Sequence, residues 1–447
     1  MVTKQSFGSR ATRSLHDVPG ERTQRLKVAM ISVHGCPLAR LGEKDAGGMN
    51  VYVRELSKGL GRLGVQVDVF TRCQSLGPVE ITELVPGVRV IHLAAGEPRW
   101  LPKNELFAFL PQFLHHLDDF RRTEHLRYDV VHGHYWLSGW VATRLRRMWG
   151  VPFLQMFHTL GMLKNTVARS SAEMEPTLRI AGERDVVAAA DRLIAANPVE
   201  YDHLVDLYDA DPNKIRIVPC GVDIDLFRPI PQLEARRRLG LDEGPYVLFV
   251  GRLEPLKGLD ILIDAIAMLV GRGSAVRLLV VGGNLDGELA QQLQARVRDL
   301  KLAEHIHFLG SIEQKELPFY YAAADVCTMP SFYESFGMVA IEAMACGTPV
   351  IASRAGGLQF TVRDNQTGFL VPPGDAAALA AAIDTVLGDS GLRRRLGEGA
   401  VVVARSYSWQ HVSRAILDIY HETTGHLEAI NEDNVTIRQH DLCVSAS

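Results

Sequence analysis

Short runs of β-branched and apolar residues alternate along this chain with longer stretches whose apolar positions recur every three or four residues. Lys27 to Val33 is the first such run, and it ends in a loop rich in glycine and polar residues. Val51 to Leu63 follows, with Val53, Leu56, Leu60 and Leu63 on one helix face and Gly64 closing it. Val65 to Thr71 then reads as a strand, completing a βαβ unit. Further strands are predicted at Val88 to Leu93, Val130 to His132, Phe153 to Phe157, Arg192 to Ala196 and Ile215 to Val218. A second series begins after Gly221-Val-Asp-Ile-Asp-Leu-Phe-Arg-Pro229. Its strands fall at Tyr246 to Val250, Arg277 to Val281, Ile306 to Leu309, Asp325 to Met329 and Pro349 to Ala352. Such alternation argues for α/β architecture, with parallel sheets covered by helices on both faces.

At 447 residues the chain is too long for one ordinary domain. The pattern divides it into a polar segment over 1–24, a Rossmann-like domain over 25–225, a second over 226–408, and a terminal helix within 409–427 that can cross back onto the first domain. A polar tail occupies 428–447. An apolar share of 47% against 22% charged residues can fill two cores. A net charge of −4 does not suit nucleic acid as the main partner. No run of roughly 18 apolar residues supports a membrane span, and the first 24 residues lack the apolar core of a secretory signal. The six cysteines form no CxxC pair, which points to free thiols in a reducing, cytoplasmic compartment.

Ligands of open parallel sheets bind beyond the carboxyl ends of the strands, so two such sheets with those ends opposed share one cleft. The chemistry-bearing residues fall at predicted strand ends. Glu334 and Glu342, seven residues apart across a strand-to-helix junction, are paired acceptors suited to vicinal hydroxyls. Arg252 and Lys257 offer a planar fork and a compact charge on one loop, enough to clamp a diphosphate. Gly47 and Gly48 open a helix whose first N–H groups can meet an anion, although a plain turn would look the same. Gly59-Leu-Gly61-Arg-Leu-Gly64 matches GxGxxG but ends a helix, the wrong context for a dinucleotide site. His132, His134 and His158 form a polar wall rather than a zinc site, since no Cys or Asp partners accompany them. Among them His158 is the candidate for direct ligand contact. Lys103, Arg179 and Glu183, judged by position alone, read as solvated charges.

With those motifs in place the chain resembles the retaining GT-B glycosyltransferases of family 4, from about Lys27 to Trp409. Within that family the segments Val28-Ala-Met-Ile-Ser-Val-His34, Gly47-Gly-Met-Asn50-Val-Tyr, Val67-Asp-Val-Phe-Thr-Arg72, His134-Tyr-Trp-Leu-Ser-Gly139 and Asp209-Ala-Asp-Pro212 are similar to members that glycosylate inositol 3-phosphate in mycothiol synthesis. The resemblance implies a UDP-sugar donor, UDP-N-acetylglucosamine, held by Gly48, Arg252, Lys257, Glu334 and Glu342, with uracil near Ile312. It implies an acceptor phosphate held by Lys103, Tyr135, Thr159 and Arg179, with the inositol ring near His34, Asp45, Gly47 and Asn50. His158, Glu334, Arg252 and Lys257 would serve the transfer itself. The chemistry needs no cofactor, but the resemblance places a structural magnesium near Tyr321, Ala322, Ala324 and Thr348. A homodimer is compatible with this reading. Transfer of glucose to fructose 6-phosphate, as in sucrose-phosphate synthases, is the alternative acceptor reading. A catalytically silent sugar-nucleotide-binding subunit is the alternative from outside the enzymes.

Overall fold

The computed structural model describes residues 25–39, 47–74, 79–168 and 171–425. Asp45, Cys443, the segment 1–24 and the tail over 428–447 lie outside the described residues. Two sheets carry the fold. The first contains β1 (Lys27–Ile31), β2 (Gln66–Arg72), β3 (Glu80–Val85), β4 (Val88–Leu93), β5 (Val130–His134), β6 (Phe153–Met156), β7 (Arg192–Ala195) and β8 (Ile215–Ile217). Their order is β3-β4-β2-β1-β5-β6-β7-β8. The second contains β9 (Tyr246–Val250), β10 (Arg277–Val281), β11 (Ile306–Gly310), β12 (Val326–Met329), β13 (Val350–Ser353) and β14 (Gly368–Val371), in the order β11-β10-β9-β12-β13-β14.

Every pairing is parallel except β3 against β4. The central strands are near-continuous apolar runs because helices cover both faces. Strand β3 departs from the sequence reading, which predicted no strand there. Its Glu-Ile-Thr-Glu-Leu-Val sequence lies at the sheet edge and exposes Ile81, and it returns through the Pro86-Gly87 turn, with Gly87 at φ +82°. Strand β14 is a second addition, only four residues long.

The helix Gly48–Arg62 begins earlier than its apolar face alone suggested. Its glycines are packing devices: a Cβ on Gly59 would fall 2.0 Å from Ser413 Oγ, and one on Gly61 2.5 Å from a Val88 methyl. The helix Trp409–Thr424 lies against this first-domain helix, with the Trp409 and Tyr52 rings 5.4 Å apart. The chain therefore passes between domains twice. The two passages run side by side, since Val222 and Ser408 form a parallel bridge and the Val222 N–H donates to the Tyr407 carbonyl at 2.8 Å.

Candidate active site

The second domain places charge at the carboxyl ends of β9 and β12. Arg252 follows β9, half-exposed, with Nη1 2.7 Å from Glu254 Oε1. Lys257 ends the short turn Pro255–Lys257, and its Nζ is 2.5 Å from Glu334 Oε2. Gly258 makes that approach possible. It has φ +67°, and a Cβ there would lie 2.1 Å from the Pro330 carbonyl oxygen. Only a residue without a side chain lets the loop after β9 rest on the loop after β12. Gly356, at φ +50°, supports Glu334 from behind, because a Cβ there would meet the Glu334 carbonyl at 2.2 Å. That carbonyl accepts the Gly357 N–H at 2.8 Å.

Glu342 lies deeper, on the helix Met338–Ala345, in a small cavity lined by Val51, Glu55, Gly221, Met338 and Trp409. Burial lifts its carboxyl from 4.5 to about 7, opposed by the Tyr321 hydroxyl that donates to it at 2.8 Å.

The first domain presents the amino end of the Gly48–Arg62 helix to these groups. A Cβ on Gly47 would be 3.8 Å from Arg252 Nε, and one on Gly48 3.2 Å from Met338 Sδ. The helix tip, whose N-cap Gly47 offers no side chain to its N–H groups, thus faces Arg252 across the cleft. Asn50 Oδ1 accepts the Gly47 N–H at 3.1 Å and its amide donates to the Cys36 carbonyl at 2.9 Å. Arg54 reaches over the gap to Gln314 Oε1 at 2.6 Å. Ile312, two residues before Gln314, packs partly buried beyond the end of β11.

Arg179 and Glu183 overturn the expectation of solvated charges: their side chains are 1% and 0% exposed, with Nε 2.7 Å from Oε1. The helix Thr177–Ala189 turns this pair inward, where Glu183 also accepts the Gly161 N–H at 2.9 Å and the Tyr208 hydroxyl at 2.5 Å. Arg179 extends Nη1 to Glu175 at 2.8 Å and Nη2 to the Thr159 carbonyl and hydroxyl at 2.8 and 3.0 Å. Its guanidinium lies 4.9 Å from the Tyr135 ring centroid, and the Lys103 ammonium 5.9 Å from the same centroid. The His34 ring is 4.5 Å from Tyr135. Lys103, Arg179 and His34 therefore surround the Tyr135 ring, and Arg179 brings Thr159 beside them. With Lys164 paired to Glu175, the cluster gathers guanidinium and ammonium groups of the kind that bind an anion. Burial raises the Tyr135 phenol to about 12, so it stays protonated and can donate. Tyr135 (φ +72°) and His158 (φ +63°) hold backbone conformations that side-chain-bearing residues seldom adopt.

The histidines form a stack in which His132 and His134 are buried and His158 is partly exposed. His132 and His134 share a face of β5 with ring centroids 4.3 Å apart. His134 Nδ1 is 3.0 Å from His158 Nε2, and His132 Nδ1 is 2.7 Å from the Tyr420 hydroxyl on the terminal helix. Burial holds His132 and His158 at about 3, so both rings are neutral. The His158 imidazole, partly exposed, rests against His134 with ring centroids 5.2 Å apart. Among the described residues, no three His, Cys, Asp or Glu side chains gather as a metal site.

Tyr321, Ala322, Ala324 and Thr348 do come together at the helix Leu317–Ala323. There the Thr348 hydroxyl donates to the Tyr321 carbonyl at 2.7 Å, and Gln232 Nε2 to the Ala324 carbonyl at 3.2 Å. Arg236 holds the Ala323 carbonyl and the Asp325 carboxylate at 3.0 and 2.9 Å. The Ala324 carbonyl keeps a second lone pair, and Arg236 takes the Asp325 carboxylate beside it.

Two residues that the sequence reading passed over join the domains at this site. Asn197 caps the helix Pro198–Tyr208 and donates Nδ2 to the Ser335 carbonyl at 2.5 Å. Tyr333, one residue before Glu334, packs into the first domain's core. The run Asn197-Pro-Val-Glu200 is a legible helix start, whereas nothing near Tyr333 marks its destination.

Two α/β domains with charged loops and a helix tip facing one cleft define a GT-B-type transferase fold, and known proteins agree. Residues 47–221 match the glycosyl transferase 4-like domain and residues 231–403 the glycosyl transferases group 1. The solved sucrose-phosphate synthase of Thermosynechococcus elongatus superposes with a TM-score of 0.84 at 37% identity, over 90% of this chain and 100% of that one. A UDP complex of HepE from Anabaena shares the fold at 21% identity and TM-score 0.69, over 89% of this chain and all of the other. The chain belongs to the GT-B glycosyltransferases of this group, a family of enzymes. Relatives named D-inositol 3-phosphate glycosyltransferase are 44% identical in Acidothermus cellulolyticus, over 89% of this chain and 90% of theirs, and 44% identical in Actinosynnema mirum, over 88% and 96%. Among the described residues no helix is long and apolar enough to cross a membrane.

Proposed function

We propose that this enzyme transfers N-acetylglucosamine from UDP-N-acetylglucosamine to 1D-myo-inositol 3-phosphate with retention at the anomeric carbon. One observation carries the reading: the anion-suited Tyr135–Arg179 cluster of one domain and the Lys257–Glu334 pair of the other are joined across one cleft by the Tyr333 loop. The relatives' names supply the acceptor. Breaking the sugar–diphosphate bond sheds negative charge onto the leaving group. Arg252, Lys257 and the tip of the Gly48–Arg62 helix receive it. The loss of one such preorganised donor costs about 10²- to 10³-fold in rate. Glu334 fixes the Lys257 ammonium and orients the transferred sugar, while Glu342 takes the ribose hydroxyls and the main chain near Ile312 the uracil. Lys103, Tyr135, Thr159 and Arg179 hold the acceptor phosphate, with the inositol ring beside His34, Gly47 and Asn50. His158 is neutral and rests against His134, so we assign it orientation and not proton transfer. The acceptor hydroxyl attacks on the face from which UDP departs, and the diphosphate takes its proton. No metal enters this scheme.

The likeness to sucrose-phosphate synthase favours a second reading, glucose transfer to fructose 6-phosphate. A product assay crossing UDP-glucose and UDP-N-acetylglucosamine with inositol 3-phosphate and fructose 6-phosphate decides between them. The expected result is one productive pair, UDP-N-acetylglucosamine with inositol 3-phosphate. Sucrose 6-phosphate as product refutes it, and UDP release from no pair leaves a sugar-nucleotide-binding subunit.

A further inference from the structure

The loop that carries Glu334 is fastened to the opposite domain on both sides of the carboxylate. Before it, Tyr333 is inserted among first-domain core residues. Its hydroxyl lies near the Leu160 main chain, adjacent to Thr159, and receives the Ser335 hydroxyl at 3.1 Å. After it, the Ser335 carbonyl accepts Asn197 Nδ2 at 2.5 Å. Asn197 is itself held rigid, because its Oδ1 accepts the Glu200 N–H at 3.0 Å while Glu200 Oε2 accepts the Ala196 N–H at 2.8 Å. The fit is close on the second-domain side as well: a Cβ on Gly357 would lie 2.6 Å from Asn197 Nδ2 and 2.2 Å from the Ser335 carbonyl. Burial, helped by the nearby Glu200 and opposed by the Ser335 hydrogen bond and Arg179, raises the Tyr333 phenol, so its hydroxyl keeps its proton.

We propose that Asn197 and Tyr333 are positioning residues that register Glu334, and with it Lys257, against the Thr159–Arg179 pocket. The inference rests on the reading of that pocket as the acceptor site. Neither residue touches the reacting atoms. Each acts by fixing a second-domain carboxylate relative to first-domain groups, a relation that no bond within either domain sets. Lys257 follows because its ammonium is bound to Glu334.

The test uses the full chain with Asn197→Ser, which keeps a helix-capping oxygen but is too short to reach Ser335, and Tyr333→Phe, which keeps the ring and loses the hydroxyl. Each variant is assayed with UDP-N-acetylglucosamine and inositol 3-phosphate. The expected result is a fall in kcat of about tenfold, the order of a misplacement below 1 Å, with donor KM and melting temperature unchanged. Small-angle X-ray scattering of the free and UDP-saturated proteins accompanies it, with both variants expected to be more extended than the parent in at least one state. An unchanged kcat in both variants overturns the inference. If the parent turns over none of the acceptors, the acceptor reading has failed, and scattering curves that coincide with the parent's in both states still overturn the fastening.

Discussion

Replacing Lys257 by methionine separates the chemistry of the cleft from its stability. The side chain keeps its length and loses its charge. Lys257 and Glu334 are 23% and 17% exposed, so water reaches both ends of the 2.5 Å pair. A pair so placed contributes at most about 1 kcal/mol to folding. In a domain of this size that corresponds to a melting-point shift of about 2–4 °C. The same ammonium, facing the bond that breaks, supplies about 2.7–4 kcal/mol to the transition state, a loss of about 10²- to 10³-fold in kcat. The assay is initial-rate UDP release at saturating donor and acceptor, paired with a thermal melt of the same preparation. Lys257→Met combined with Glu334→Gln is expected to lose little more than the worse single variant, because the two side chains act as a unit. A kcat within threefold of the parent refutes the assignment of Lys257 to the leaving group. A melting point lowered by more than 8 °C refutes the energetic argument instead.

Lys103→Ala is expected to raise the acceptor KM about tenfold, the loss of one charge-assisted bond to a phosphate, with UDP affinity by calorimetry unchanged. An altered UDP affinity with constant acceptor KM would place Lys103 on the donor side. Gly356→Ala introduces a left-handed residue and a backbone overlap behind Glu334. It is expected to cost about 1–3 kcal/mol of stability and to lower kcat even in the folded fraction, checked by melts and rates below the transition. For pH, burial holds His132 and His158 at about 3 against an ordinary 6.5. Below pH 6.5 the unfolded chain takes up protons that the folded chain refuses, so stability falls by up to about 1.4 kcal/mol per unit for each ring. Glu200 runs the other way: burial lifts its carboxyl from 4.5 to about 7, so its ionisation weakens the fold most above pH 7. Glu200→Gln should therefore gain roughly 2–3 kcal/mol over the parent on going from pH 5 to pH 8.5, read from urea melts. A pH-independent difference refutes that account.

The parallel core was legible because buried strands such as Tyr246–Val250 are unbroken apolar runs, and each cluster of the cleft follows one of them. Strand β3 escaped notice because an exposed edge alternates charged and apolar residues, with no strand-length apolar run. Arg179 and Glu183 misled for a different reason. An i,i+4 ion pair looks the same whether it faces water or protein, and here Gly161, Tyr208 and Thr159, distant in sequence, decide which. The fastening of the Glu334 loop was illegible altogether, since Asn197 and Ser335 are 138 residues apart and meet only once both domains are folded.

The doubled passage between the domains limits how they can move. With residues 222 and 408 bridged side by side, a swing about that line strains neither peptide, whereas a twist shears the bridge between them. The lobes should open as a book does along its spine, with the terminal helix glued to the first cover. Protein cut after residue 408 would keep the proposed donor and phosphate contacts on its two pages and lose the binding that brings them back into alignment.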